Sequence, residues 1–492
     1  MALLDELRGD FPRTVDAFAQ LPEAEATLRH VVELETRWNR VDAVEIGEGG
    51  PDRGATLDFD VLVAGGGLSL FYAAYLARRG LKVAVFDRGE IGRTHREWNC
   101  ARRELAPLVE AELFTTAEAD ALVEVEYREG LCRWHGGGTY PVREVLDCVI
   151  TAQPLLSGLR ARAEAAGATM LSHHALVGYA RGAGGVEVRL EGGRRLTGRV
   201  LLDATGAASP HARFDLCCPT VGGVLADLSR GDAPDELDPL RGEILVTTED
   251  VEDGRQHIWE GFPGPRDVLT TYLFYYEEPS RLPPRPLLSL YERFFATLPR
   301  YKRGPARLAR ATYGYIPAYT RLRPMPAAPS DRVLLVGDAA SRHSPLTFCG
   351  FGSMLRSFKP VSDALLACLA EDRLSRRALA ACWEEPAALR VMGGLTLMMT
   401  ERPGHVRPPG DVNALLDQSF ATLHEMGQEI YAAFVRDEIG FKDFVAFMQA
   451  TAKKRPTIYD EVFAHLTRAE IARWTMRLGG LGLRRYRTPA AS

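Results

Sequence analysis

The sequence predicts an α/β protein, and three observations carry that prediction. From Asp58 to Asp87 an apolar strand runs into a glycine turn, then a helix, then a second strand ending in an acid. Further β-rich segments, among them "GGVEVRLEGG" and "VLTTYLFYY", continue to about residue 345. After about residue 360 the apolar positions recur at helical spacing: Leu416, Phe420, Leu423, Ile430 and Phe434, then Phe441, Phe444 and Phe447.

At the N-terminus, "EATLRHVVELETRW" alternates apolar and charged residues at helical spacing, and "GEGGPDRGA" breaks the pattern. Residues 1–57 therefore read as a helical extension and linker. In "VLVAGGGLSLF" the strand ends at Ala64, Gly65-Gly66-Gly67 makes the turn, and the helix runs to Gly80. This is a Rossmann-like unit. Glycines at 65 and 67 let the backbone approach a pyrophosphate at the helix N-terminus, and Asp87, followed by Arg88, can accept hydrogen bonds from ribose. The usual third glycine is Leu70 here, which bears on helix packing more than on phosphate contact.

Two later stretches point to FAD as the cofactor. "RVLLVGDAASRHSPLTFCGFGSMLRSF" puts Gly337 and Asp338 at a strand end, where the acid can bind a ribityl chain, and sets Pro345, Gly350 and Gly352 ahead of a helix. "RVLLDATGAAS" ends a strand at Asp203-Ala204-Thr205-Gly206, a turn of the kind that crosses near the cofactor. Residues 58–215 and 325–370 thus form an FAD-binding domain, with part of an inserted sheet. Residues 216–324 form a mixed or antiparallel substrate domain, and 371–492 a helical C-terminal region whose amphipathic helices pack on the core.

Composition narrows the function classes. The 46% hydrophobic and 25% charged residues are ordinary for a folded globular chain, and 492 residues suffice for two or three domains. A formal net charge of −5 with dispersed Lys and Arg argues against nucleic acid as a partner. The eight cysteines show no metal-like spacing, so buried reduced thiols, no metal and a cytoplasmic location are expected. The N-terminus lacks the pattern of a secretory signal. "VMGGLTLMM" is too short to span a bilayer and reads as a core segment, with a lipid-facing patch as the alternative.

The order of the three nucleotide-domain stretches resembles the FAD-binding folds of aromatic hydroxylases, geranylgeranyl reductases and lycopene cyclases. "HREWNCARRELAPLVEAELFTTAE", "IWEGFPGPRDVLTTYLFYY", "GYIPAYTRLRPM" and "VGDAASRHSPLTFCGFGSMLRSF" together resemble the CruA/CruP type of lycopene cyclase over most of the chain. One departure is the turn itself, Gly65-Gly66-Gly67-Leu68-Ser69, where that family is expected to read closer to G-G-T-L-G.

The resemblance implies acid-triggered cyclisation of lycopene ends without net redox change, with FAD present in reduced form as a fixed negative charge. It implies an apolar polyene or isoprenoid substrate and peripheral contact with a membrane. Glu260, between Trp259 and Phe262, is the first candidate proton donor, because apolar neighbours raise a carboxyl pKa. Glu97 is the second, although Arg96, Arg102 and Arg103 stand close enough in sequence to pair with it. His343 is a third, or simply caps a turn. Tyr272, Phe274, Tyr275 and Tyr276 alternate on a strand, so one face can pack the core while the other meets a polyene.

Rival readings are an FAD-dependent monooxygenase or reductase on an isoprenoid or other apolar substrate, and a flavin- or pigment-binding paralogue without cyclase activity. The absence of a W-x-W-x-I-P stretch argues against a halogenase.

Overall fold

A computed structural model describes residues 3–38, 44–94, 97–212, 214–320, 329–341, 346–347, 349–383, 392–393, 395–400, 407–464 and 466–485. Apolar β-rich runs form an eight-stranded sheet whose centre is parallel. Thr169–Leu171, Val83–Phe86, Phe59–Ala64, Arg195–Asp203 and Val333–Leu335 lie side by side in the same direction. Central parallel strands are buried on both faces and so read as continuous Val/Leu runs. Val61, Leu62, Val63 and Ala64 are accordingly without exposed surface.

One face of this sheet is covered by the helices Leu70–Arg78, Ala152–Ala165 and Gly350–Ala370, which share a core with it. The first half of Arg195–Asp203 turns aside to pair antiparallel with Val186–Leu190, which in turn pairs with Leu176–Arg181. The region expected to be a linker supplies a strand as well: Glu45–Glu48 pairs parallel with Leu176–Arg181. Its residues are mostly exposed, so it carries no apolar alternation for a sequence reading to detect.

The second sheet has seven strands in the order Arg307–Ala318, Leu216–Ala226, Leu269–Phe274, Ile258–Pro263, Arg241–Val246, Glu129–Arg133 and Thr139–Val142. All neighbours are antiparallel except Arg241–Val246 with Glu129–Arg133. Its two faces do different work. Trp259, Leu273, Val221 and Tyr275 form one core with the helices Pro12–Phe18, Ala24–Trp38 and Pro286–Tyr301. Ile258, Phe262, Phe274 and Cys218 form another with the helices Asp411–Met426, Gln428–Val435 and Phe441–Lys454. Leu416, Phe420, Leu423 and Phe434 are buried in it, each removed from water at a gain of about 1.5–3 kcal/mol.

A small sheet of Val123–Glu126, Cys148–Ile150 and Trp98–Cys100 bridges the two larger ones. All eight cysteines are buried and unpaired. Among the described residues no helix is long and apolar enough to cross a membrane. Met392 and Met399, from the apolar run after residue 390, are buried beneath the C-terminal helices.

Candidate functional site

The strand ends of the parallel sheet and the inner face of the seven-stranded sheet meet at one cavity of about 560 Å³. Gly65, Gly66, Gly67, Asp87, Arg88, Gly206, Gly337, Asp338 and Gly350 line one side, and Glu260 and Glu97 line it too. Residues spread over 286 positions of the sequence therefore share one space.

The glycine turn is dictated by close approaches. Gly65 sits at φ +107°, and a Cβ there would lie 2.6 Å from the carbonyl oxygen of Ala204. A Cβ on Gly66 would lie 2.6 Å from Ile91. A Cβ on Gly67 meets no protein atom within 4 Å, so the backbone is open to the cavity there. Asp87 braces the turn, its two oxygens accepting from the backbone N–H of Gly66 and of Gly89, each at 2.7 Å. A carboxylate with two such bonds retains lone pairs for a ribose hydroxyl. The helix begins at Leu70, whose side chain is wholly buried in the core beneath it. A leucine takes the third-glycine position because apolar packing fills that place.

The other expected cofactor residues divide. Ala204, Thr205 and Gly206 line the cavity, while Asp203 is buried and accepts from Thr205 Oγ1 and Ser209 Oγ, each at 2.6 Å. Gly337, at φ +61°, is followed by an exposed Asp338. Gly352 is not on the cavity wall. It is buried against the Glu104 carboxylate, 2.3 Å from where its Cβ would stand, two residues into the helix and therefore facing away from Gly350. Pro345 and His343 lie outside the described residues, as does Arg96.

The two acids have opposite surroundings. Glu97 lies across from Thr270 and Arg310 on the second sheet: Thr270 Oγ1 donates to one oxygen, and the Arg310 guanidinium pairs with the other. Arg102 and Arg103 turn elsewhere, to Asp120 and Glu438. The Glu260 carboxyl has no hydrogen-bond or ion-pair partner among the described residues, although its backbone carbonyl accepts from Thr271 Oγ1 at 2.7 Å. Glu260 is half-buried, the other five residues of Ile258–Pro263 being buried. Burial without a partner disfavours the charged form, and the Glu260 carboxyl is pushed up to about 8.

The wall around Glu260 follows from sheet register. Tyr272 is its cross-strand partner, Gly222 is next, and Thr312 follows, so these residues share a face. Phe262, two residues along, points the same way. Of the four expected aromatics, Tyr272 lines the cavity, whereas Phe274, Tyr275 and Tyr276 are buried in the cores.

Several wall residues carry no signal in the sequence. Trp98 stacks on Phe351 with ring centroids 5.2 Å apart. Asn99 Oδ1 and Thr312 Oγ1 are buried without a hydrogen-bond partner. With the open backbone at Gly67 and the acid at Asp87, the residues present fit a dinucleotide. Among the described residues no group of three or more His, Cys, Asp or Glu could hold a metal ion.

No protein-family model and no curated protein matches the sequence. Solved structures do. The chain is similar to the halogenase PltM in complex with phloroglucinol and FAD, at 14% identity over 88% of this chain and 93% of that one, with a TM-score of 0.55. It is similar to a geranylgeranyl bacteriochlorophyll reductase-like protein of Thermoplasma acidophilum, at 17% identity over 86% and 100%, with a TM-score of 0.53. The Diels-Alderase PyrE3 of pyrroindomycin biosynthesis aligns at 17% identity over 77% and 80%, with a TM-score of 0.52. The chain shares its fold with these FAD-binding flavoproteins: a Rossmann-type parallel sheet joined to a second, largely antiparallel sheet.

Proposed function

We propose that the protein is an FAD-dependent enzyme that uses Glu260 to deliver a proton to an apolar, polyene-type substrate and so closes a ring, as in lycopene cyclisation. The observation that carries the reading is Glu260 itself: an unpartnered carboxyl, protonated at neutral pH, on the wall that the substrate sheet shares with the dinucleotide turn. A structural acid would have a partner, as Glu97 does.

FAD, when bound, supplies redox chemistry and, when reduced, a negative charge in a site of low dielectric. Gly67, Asp87, Arg88 and Asp338 are the residues placed to hold it. Glu260 transfers its proton to a terminal alkene carbon, and the resulting carbocation is attacked by a second alkene of the same chain. Loss of a proton from the carbon beside the new cation returns it to Glu260, so substrate and product have equal mass. Tyr272 and Phe262 line the cavity beside Glu260, and aromatic rings favour positive charge over their faces.

Beside Glu260 the cavity is lined by Phe262, Tyr272 and Ile316, apolar surface that suits the end of a polyene. Such a substrate resides in a bilayer, so peripheral membrane contact belongs to this proposal.

The solved neighbours keep a second reading in view. A halogenase and a reductase-like protein favour redox chemistry, whereas the Diels-Alderase supports ring closure on the same fold. Lycopene in liposomes, given to protein with reduced or oxidised flavin, separates them by product mass. Unchanged mass with a shifted chromatographic position is expected. A gain of oxygen, or of two hydrogens, would move the protein to the monooxygenase or reductase class, and a bound pigment without any product would make it a binding protein.

A further inference from the structure

The strand Glu45–Glu48 lies outside the Rossmann unit, yet the residue before it, Val44, lines the cavity. Its position follows from a chain of contacts that starts at the glycine turn. Asp87, whose side chain braces Gly66, has its backbone oxygen bonded to His174 N–H at 2.7 Å and its N–H bonded to Leu171 O at 3.2 Å. Ala175 and Leu176 therefore stand beside Asp87 and line the cavity with it. Pairing of Glu45 with Gly178, in a parallel ladder, then brings Val44 alongside Leu176 and Val177.

Val44, Leu176 and Phe86 belong to one apolar group on the sheet. Asp87 and Arg88 lie at its edge. An acid ending the second strand of such a unit marks the adenosine ribose. The base attached to that ribose needs flat apolar walls with polar groups at one margin, which is what these residues make.

We propose that Val44, set in place by the N-terminal strand, closes the adenosine end of the cofactor cleft and contributes directly to FAD retention; this rests on the FAD reading above. The strand is held mainly by its backbone ladder. Its ion pairs, Glu45 with Arg189 at 2.5 Å and Glu48 with Arg181, have exposed carboxylates, and exposed pairs contribute about 0–1 kcal/mol. Residues 45–48 thus act as a carrier for Val44 rather than as an electrostatic clasp.

The test measures dissociation constants of FAD and FMN, by flavin fluorescence, for wild-type apoprotein, Val44→Asp and Val44→Leu, together with apoprotein Tm. Val44→Asp sets a carboxylate against the adenosine, so its FAD dissociation constant rises about tenfold while FMN, which lacks adenosine, binds as before. Val44→Leu holds FAD like wild type, and Tm stays constant. Equal FAD affinity in all three proteins would overturn the proposal. Parallel loss of FAD and FMN, or a fallen Tm in Val44→Asp, would also overturn it by making Val44 a folding residue. A wild-type protein that binds neither flavin would instead remove the FAD reading on which the proposal stands.

Discussion

Glu260 stands directly across the antiparallel ladder from Tyr272, and both side chains face the cavity. The pair sets a desolvated acid beside an aromatic side chain, the two groups on which the proposed alkene protonation rests.

Glu260→Gln keeps the shape and removes the proton. A general acid contributes about 10²–10⁴-fold to rate, so cyclisation falls by that order while FAD affinity stays unchanged. Equal turnover in the variant, measured by product formation per flavin, would remove Glu260 from the reaction.

The same residue gives stability a pH signature. Glu260 binds a proton up to about 8 in the folded state but only near 4.5 unfolded, so the folded state holds the extra proton between those values. Stability therefore declines as pH rises from about 4.5 to about 8, by at most roughly 5 kcal/mol, and is level beyond. Water reaching the cavity side of Glu260 makes this an upper bound. Urea titrations across that range should show the decline in wild type and a flatter profile in Glu260→Gln. Activity, which needs the protonated acid, falls as pH rises through about 8.

Glu97→Gln has a different outcome. Arg310 is 47% exposed, so loss of its pair with Glu97 destabilises by only about 0–1 kcal/mol. Turnover stays within a few fold of wild type. A loss as large as that of Glu260→Gln would reverse the ranking of the two acids.

Two glycines of one turn should respond in opposite ways. Gly65→Ala puts a Cβ 2.6 Å from a backbone oxygen at positive φ, and strain of this kind costs about 1–3 kcal/mol. The Cβ added by Gly67→Ala meets no protein atom within 4 Å, so Tm is kept while FAD retention falls. Thermal melts and flavin content after gel filtration distinguish them.

Gly352→Ala lowers Tm without a direct effect on flavin contact. The added methyl displaces the Glu104 carboxylate, which accepts from Ala101 N–H at 2.8 Å and pairs with Arg356, and disturbing a buried pair of this kind costs about 3–5 kcal/mol.

The glycine turn, its bracing acid and the β-strands around them were legible because each is a local pattern. Strand alternation, turn glycines and helix periodicity occupy windows of about ten to thirty residues, and the backbone responds to them directly. The strand Glu45–Glu48 was hidden for the same reason. An exposed edge strand is held by backbone bonds that leave no mark on side-chain order. Gly352 shows the limit within a helix, since two residues along it the direction turns by more than half a circle, from the cavity to Glu104.

By itself the sequence determined that this is an α/β chain with a dinucleotide turn at Gly65–Gly67, a second sheet and a helical end, and it brought Glu260 and Glu97 forward as acids. It ranked Glu260 first on its apolar neighbours, but the surroundings of each acid were set only by the tertiary structure. Arg310 reaches Glu97 from 213 residues away, while the strands on both sides of Glu260 bury it without a partner. Desolvation and pairing depend on everything that surrounds a group in space, and neighbours in sequence supply only a small part of that surrounding.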